Sequence, residues 1–361
     1  MKNPVTLIVS LLLLVGLNSC GEGKKIDKNR PKLPNAIGHM GEIAIVGDGL
    51  LFEGTVREAF DSVFDIRQPH LFNDEGYFRI FDVRPEMFQS VYKSYSTLLI
   101  IKVQDDGFDT RRILPAPYNT LSDSLKKAND TAAIRIYTKK NIWAYPQQVV
   151  FLYAKNHDVL HRYLLDGRKA ILDLMLRTEA ETFAVANKNE RQDSIGKFIK
   201  QNFGFTMDVP TNFRVARYEE KGNGKFAWIR RETPHISQGL LIYTQPYTRK
   251  EQLGAEEMVL SRDSVVEKYI PGSVDGSYMT TEKAFPFATK AFEFNGKYSV
   301  ELRALWKTEG EFMGGPFYSI TMIDEAASQL ITVEGFVYSP RYDKTQYLRQ
   351  MEVIVKSLSW Q

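Results

Sequence analysis

Across 361 residues there is one cysteine, Cys20. That excludes an intramolecular disulfide, so the folded part must be held by its core alone. Histidine is nearly as scarce. Only His39, His70, His157, His161 and His235 occur, few from which to assemble a metal centre or a serine triad. A surplus of one charge is also lacking. Lys plus Arg number 47 against 44 Asp plus Glu, a net charge of +3, which argues against nucleic acid as a partner. Beyond residue 17 no apolar run approaches the roughly 20 residues of a membrane-spanning helix. The rest is ordinary for a globular chain, with 43% hydrophobic, 25% charged and 12% aromatic residues.

The one long apolar run lies at the start. Lys2 precedes Val5 to Leu17, and the run closes in Leu17-Asn18-Ser19-Cys20. A basic start, an apolar core of roughly 7–15 residues and a small-residue end have the form of an export signal. The closing tetrapeptide resembles the bacterial lipobox, although Asn18 departs from the Ala or Ser preferred there. The resemblance implies removal of residues 1–19 and acylation of Cys20. That would leave the body tethered to a membrane by lipid. Several acyl chains anchor stably, at roughly 0.8 kcal/mol per buried methylene. Residues 20–40 are rich in Lys, Gly and Pro and read as a flexible tether. Lys24 and Lys25, where surface-export signals carry acidic residues, tilt the expectation toward the periplasmic side of an outer membrane, with surface exposure left open.

Two folded units are expected, 41–203 and 204–361. In the first, Glu42–Val46, Tyr77–Val83, Leu98–Val103, Ala133–Tyr137 and Gln148–Tyr153 read as strands. They alternate with helices at Leu50–Phe64 and from Pro85 to Ser94. This order predicts an α/β layer with a mixed sheet. Residues 156–203 read as two helices with a bend at Asn187-Lys188-Asn189. The second unit is expected to be an antiparallel-sheet α+β sandwich. It would open on a strand, a Pro210 turn and a second strand. It carries one inserted helix (Glu256–Tyr269), a hairpin at Asn295-Gly296 and a closing helix (Thr345–Leu358) whose Leu348, Met351, Val355 and Leu358 share a face.

Candidate chemistry is thin. His157 and His161 have metal-ligand spacing, but the residue after the first is Asp158 rather than glutamate, and no third ligand is indicated. An exposed helical first turn capped by Asn156 accounts for them. Gly47-Asp48-Gly49 with Gly54 follows a strand, but a dinucleotide loop would need glycine where Phe52 stands; a tight turn with positive φ is expected instead. Gly272-Ser273-Val274-Asp275-Gly276 has its serine second, not third, so it is no nucleophile elbow. Glu219-Glu220, Glu256-Glu257 and Asp324-Glu325 are adjacent and face different ways. No catalytic residue, metal or cofactor is assigned. The stretch Met313-Gly314-Gly315-Pro316-Phe317 reads as a loop allowing close backbone approach. Gly314 and Gly315 with Trp306 or Phe317 as aromatic anchor are the interaction candidates.

Taken whole, the chain resembles an uncharacterised Bacteroidetes lipoprotein family, a domain of unknown function. The resemblance rests on the lipobox, Trp143-Ala144-Tyr145-Pro146-Gln147, Ile242-Tyr243-Thr244-Gln245-Pro246-Tyr247, the glycine pair above and Glu334-Gly335-Phe336-Val337-Tyr338. It implies an envelope lipoprotein and no activity. The second unit resembles the Mog1/PsbP-like fold in its opening around Pro210 and its end at Ser357-Leu358, which implies a binding or assembly module. The reading is a non-catalytic envelope lipoprotein that binds an envelope protein or glycan. The alternative is a hydrolase acting on cell-wall or glycan material at the junction of the two units.

Overall fold

The computed structural model describes residues 32–68, 71, 74–104, 106–109, 113–114 and 134–360. Cys20, the expected signal, the tether through residue 31 and His70 lie outside the described residues; the last part of the expected tether is not free, since the Ala36 and Ile37 N–H groups donate to the Tyr145 and Ser94 carbonyls at 3.0 and 2.8 Å and Met40 is buried. No helix among the described residues is long and apolar enough to cross a membrane.

The N-terminal half contains β1 (Glu42–Val46), α1 (Gly54–Phe64), β2 (Arg79–Val83), β3 (Thr97–Val103), β4 (Ile134–Lys140) and β5 (Gln148–Ala154). Two helices follow, α2 (His157–Asp166) and α3 (Arg168–Asn189). The sheet order is β2-β1-β3-β5-β4. The first four strands run parallel and β4 is antiparallel to β5. It is the mixed sheet that the alternation of elements implied. β3 and β5 are continuous apolar runs because both their faces are covered. Ile43, Leu99 and Val150 pack against α1, α2 and α3. On the other face Ala44, Leu98 and Val149 pack under Phe88, Phe108 and Trp143.

That second face corrects one expectation. The stretch from Pro85 is not one helix but a 3-10 turn (Pro85–Met87) and a single α turn (Ser90–Lys93). Phe88, between them, leaves helical geometry and is buried against the sheet. Gln147 then holds the following backbone: its amide donates to the Lys93 and Tyr95 carbonyls at 2.7 and 2.8 Å. A glycine expectation also changes. The positive φ of this turn falls on Gly54 (φ +56°) and not on Gly47, where a Cβ would lie 2.3 Å from the Leu51 side chain, so close packing excludes one.

The C-terminal half takes in α4 (Asp193–Phe203), ahead of the boundary expected at 204, because Ile195, Ile199 and Phe203 pack with its sheet; residues 156–203 form three helices rather than two, with an extra break at Gly167. A two-residue strand β6 (Phe205–Thr206) replaces the longer opening strand expected. It pairs with a terminal β15 (Ser359–Trp360). Between them run β7 (Arg214–Lys221), β8 (Gly224–Glu232), β9 (Ser237–Pro246), α5 (Ala255–Tyr269), β10 (Tyr278–Thr281), β11 (Ala288–Phe294), β12 (Lys297–Glu309), β13 (Gly314–Asp324), β14 (Gln329–Tyr338) and α6 (Thr345–Lys356). The sheet order is β10-β12-β13-β14-β9-β8-β7, with β11 also on β12. All of its ladders are antiparallel. Asn295 and Gly296 both take positive φ in the β11–β12 turn, as a type I′ hairpin requires.

Strand alternation gives this sheet two apolar faces. Tyr318, Ile320, Ile331 and Val333 meet α4 and α6 on one side. Leu302, Trp306, Phe317 and Phe336 meet α5 on the other. Within that second core Arg262 of α5 makes a buried two-pronged ion pair with Glu334, at 2.7 and 2.8 Å.

The two halves join through α6. Thr345, at its N-terminus, has no capping side chain from its own segment. Glu75, between α1 and β2, supplies the cap. One carboxylate oxygen accepts from the Lys344 and Thr345 N–H groups, both at 2.7 Å, and from the Thr345 hydroxyl at 2.9 Å. One turn further, Arg349 pairs with the fully buried Glu179 of α3. Glu179 also accepts the Gly41 N–H at 2.6 Å, and Arg349 donates to the Tyr77 carbonyl at 2.7 Å. Burial pushes the Glu179 carboxyl above its ordinary value, while Arg349 and the Gly41 N–H pull it back. Removing one partner of such a pair strands a buried charge. Glu179→Gln or Arg349→Met should each cost about 3–5 kcal/mol. The double variant should recover part of that, so chemical denaturation across the four proteins should show strong non-additivity. Additive losses would mean that the pair does not couple the halves.

Candidate functional site

Where the halves meet, α3 and α6 leave a groove of about 540 Å³. That lies within the 300–1,000 Å³ usual for small-molecule sites. Helical periodicity places its lining. On α6 the apolar positions Met351, Ile354 and Val355 go to the sheet, while Leu348 packs at its edge and also borders the groove. The ridge Thr345, Arg349, Glu352 and Lys356 recurs every three or four residues and faces α3 and β12. On α3, Leu176, Arg177, Ala180 and Glu181 line the opposite wall, and Met40 and Tyr77 also border the groove.

The charges are largely matched. Arg303 of β12 binds Glu352 in two-pronged fashion, one leg at 2.8 Å. The Tyr318 ring lies under Arg303 at 4.5 Å and under Lys356 at 5.1 Å, measured to its centroid. Burial would raise the Glu352 carboxyl, but Arg303 overrides it and holds the group below the usual carboxylate range. Burial would lower the Arg303 guanidinium, and Glu352 keeps it above its ordinary value. Burial raises the Tyr77 hydroxyl, only partly offset by Arg303 and Arg349. Glu181 is tied to Lys140 at 3.0 Å. Arg177 is exposed and has no hydrogen bond or ion pair among the described residues. Such a lining keeps fixed charges fixed.

The interaction candidates fall elsewhere. Gly314 and Gly315 are not in a loop; they begin β13, paired with Lys307 and Trp306. Trp306 is 2% exposed and Phe317 1% exposed, both in the α5-side core. An anchoring ring must be reachable, and neither is. The reason is Gly315: a Cβ there would lie 2.0 Å from the Val337 carbonyl oxygen. That oxygen accepts the Trp306 indole N–H at 3.2 Å. The glycine serves packing between strands. Phe317 borders the groove, but its ring is turned into the α5-side core under Arg262 and offers it no anchor.

The exposed aromatic of this stretch is Phe312, fully exposed at the β12–β13 tip. The next-door Glu311 clamps that tip, accepting from the Ser273 N–H at 2.7 Å and from the Ser273 hydroxyl. Gly310, with φ +90°, was the sequence signal for a turn there rather than at Gly314. His157 sits at the first turn of α2, with Asn156 capping through the Val159 N–H at 2.8 Å, as expected. Asp48 likewise caps the turn after β1, accepting from Leu50 at 2.9 Å. Glu219 faces Arg217 and Glu220 faces Tyr218, so this adjacent pair diverges.

Comparison with known proteins comes in two segments. Residues 192–357 match a family model described as Domain of unknown function (DUF4837). Residues 36–188 match one described as Domain of unknown function (DUF8532). The matches meet at the break between α3 and α4. No curated protein matches the sequence. Among solved structures, LpqN, described as involved in cell envelope biogenesis of Mycobacterium tuberculosis, is similar at 11% identity. The match covers 43% of this chain and 83% of LpqN, with a TM-score of 0.27. A score so low carries no argument about fold or role.

Two outcomes test the geometry. Because Glu352 is held below its ordinary value, its contribution to stability is present above about pH 4.3 and lost as pH falls toward its folded value. Glu352→Gln should flatten that part of the acid limb in a stability–pH profile; an unchanged limb would contradict the Arg303 pairing. Gly315→Ala should lower stability by about 1–3 kcal/mol through overpacking, and a melting temperature equal to wild type would show that the strand has room.

Proposed function

We propose that this chain is a lipid-tethered, non-catalytic binding module of the cell envelope, with the groove between α3 and α6 as its ligand site. The observation that carries the reading is the groove lining. Its carboxylates are already matched by arginine or lysine, while Arg177 has no partner among the described residues. Binding an anion needs such a cation, and needs no nucleophile or titrating base. The groove lies between two elements held by buried ion pairing, so its shape is set before any ligand arrives.

The tether rests on Leu17-Asn18-Ser19-Cys20 and on the resemblance to a Bacteroidetes lipoprotein family. An inner-leaflet, periplasm-facing position on an outer membrane is the finer reading, supported by Lys24 and Lys25. A Mog1/PsbP-like C-terminal half fits the same role, since its sheet is covered by helices on both faces.

Expression in a Gram-negative host, followed by fractionation and mass spectrometry of the mature N-terminus, tests the tether. Wild type should sediment with membranes and carry acyl chains on Cys20, and Cys20→Ser should move to the soluble fraction. An unmodified N-terminus at another residue would overturn the anchor. Capture from the native envelope should recover a bound ligand or partner with wild type. Turnover of a cell-wall or glycan panel, abolished by Glu352→Gln, would overturn the non-catalytic reading.

A further inference from the structure

Four cations line the groove, Arg177, Arg303, Arg349 and Lys356, against two carboxylates, Glu181 and Glu352. Arg349 is consumed by Glu179 behind the wall, and Arg303 by Glu352. Glu181 is neutralised from outside by Lys140. Lys356 reaches Glu352 only at 3.8 Å, in second place to Arg303 at 2.8 Å. What remains is a positive surplus centred on Arg177. Tyr77 adds a hydroxyl with no hydrogen-bond partner among the described residues. Burial keeps that hydroxyl protonated, and so a donor.

The rest of the lining is apolar. Leu176 and Ala180 of α3, Leu348 and Val353 of α6, and Met40 supply it. A sugar would need amide and carboxylate groups free to pair with its hydroxyls. Gln68, the amide on this wall, already uses its N–H groups on the Gly76 carbonyl and the Thr345 hydroxyl, at 2.8 and 2.7 Å. Both carboxylates are in ion pairs. The volume of about 540 Å³ is that of a small-molecule site.

We infer that the groove holds an anionic single-chain amphiphile, its carboxylate or phosphate head at Arg177 and Tyr77 and its chain along Leu176, Ala180, Leu348 and Val353. This rests on the groove being the ligand site. Each methylene laid on that wall leaves water, and the head meets a guanidinium that can take two of its oxygens. The head group separates two sources, a fatty acid or a lysophospholipid.

The test uses the full chain carrying Cys20→Ser, so that its own lipid cannot compete. Dansyl-undecanoic acid is titrated and its emission followed, with the dansylated alcohol of equal length as neutral control. Saturable binding of the acid is expected. Arg177→Ala and Arg177→Glu, at an exposed position that does not threaten folding, should weaken the acid about tenfold or more and leave the alcohol unchanged. Ala180→Trp, with its melting curve checked, should block both probes. Displacement by oleate but not lysophosphatidic acid would identify a carboxylate head, and the reverse a phosphate head. Equal binding of acid and alcohol, unaffected at Arg177, overturns the anionic class but leaves the groove as the site. Binding of the acid untouched by a folded Ala180→Trp overturns the groove itself. No binding of either probe overturns the amphiphile.

Discussion

The ion pair between Glu179 and Arg349 is the constraint on which the rest depends. Two buried charges lose far more by leaving water than an exposed pair would, and they recover it only if every remaining donor and acceptor is used. Here they are used on the N-terminal sheet. Glu179 accepts the Gly41 N–H just ahead of β1, and Arg349 donates to the Tyr77 carbonyl just ahead of β2. The guanidinium also stacks over the Phe78 ring, 4.6 Å from its centroid. One pair therefore ties α3, α6 and the lead-ins of two parallel strands. The Glu75 cap one turn earlier on α6 adds a second buried carboxylate, held through one oxygen by hydrogen bonds rather than by an ion pair. A helix whose first turn is capped by one half and whose core face belongs to the other cannot rotate without breaking both.

That fixity decides what the groove is. Once Arg349 is set, periodicity sends Glu352 and Lys356 along the same ridge of α6, toward β12. Glu352 then meets Arg303, whose strand is held from its other face by Trp306 and its hydrogen bond to Val337. The groove inherits its walls from contacts that serve stability, and little of its shape is left to a ligand. Phe312 shows the same economy at a different place: a single carboxylate, Glu311, steadies a tip that would otherwise carry an unsupported ring.

How much of this the sequence showed depends on the range of the interaction. Local patterns were legible. β1, β11 and β14 begin and end where alternation and turns placed them, and the Asn295-Gly296 hairpin formed as its φ preference demands. The apolar face of α6 was legible too. Its other ridge was not, because polar residues at helical spacing, here Thr345, Arg349, Glu352 and Lys356, have the same form as a solvated face. Their partners Glu75, Glu179 and Arg303 lie on elements that only the fold brings near; Glu75 is 270 residues from Thr345. Glu75, in a polar loop, carries no pattern of a helix cap for another segment. The glycine pair at Gly314 failed for the opposite reason: a Gly-Gly-Pro run has the local form of a loop, and only the contact between Gly315 and the neighbouring strand makes it strand.

The sign of the groove follows from the same long-range pairing. Its lining carries both arginines and carboxylates, and by composition it could hold either kind of charge. Pairing removes that symmetry, because each carboxylate has been given away: Glu352 to Arg303, Glu181 to Lys140 and, behind the wall, Glu179 to Arg349. An incoming cation would have to displace a guanidinium from a two-pronged contact. An incoming anion displaces only water from Arg177. The energetic difference between those two exchanges, a charge-assisted pair lost against none lost, favours the anion for as long as the fold keeps its own pairs intact. The contacts that hold the halves together are therefore also those that leave Arg177 as the cation of the groove without a partner among the described residues.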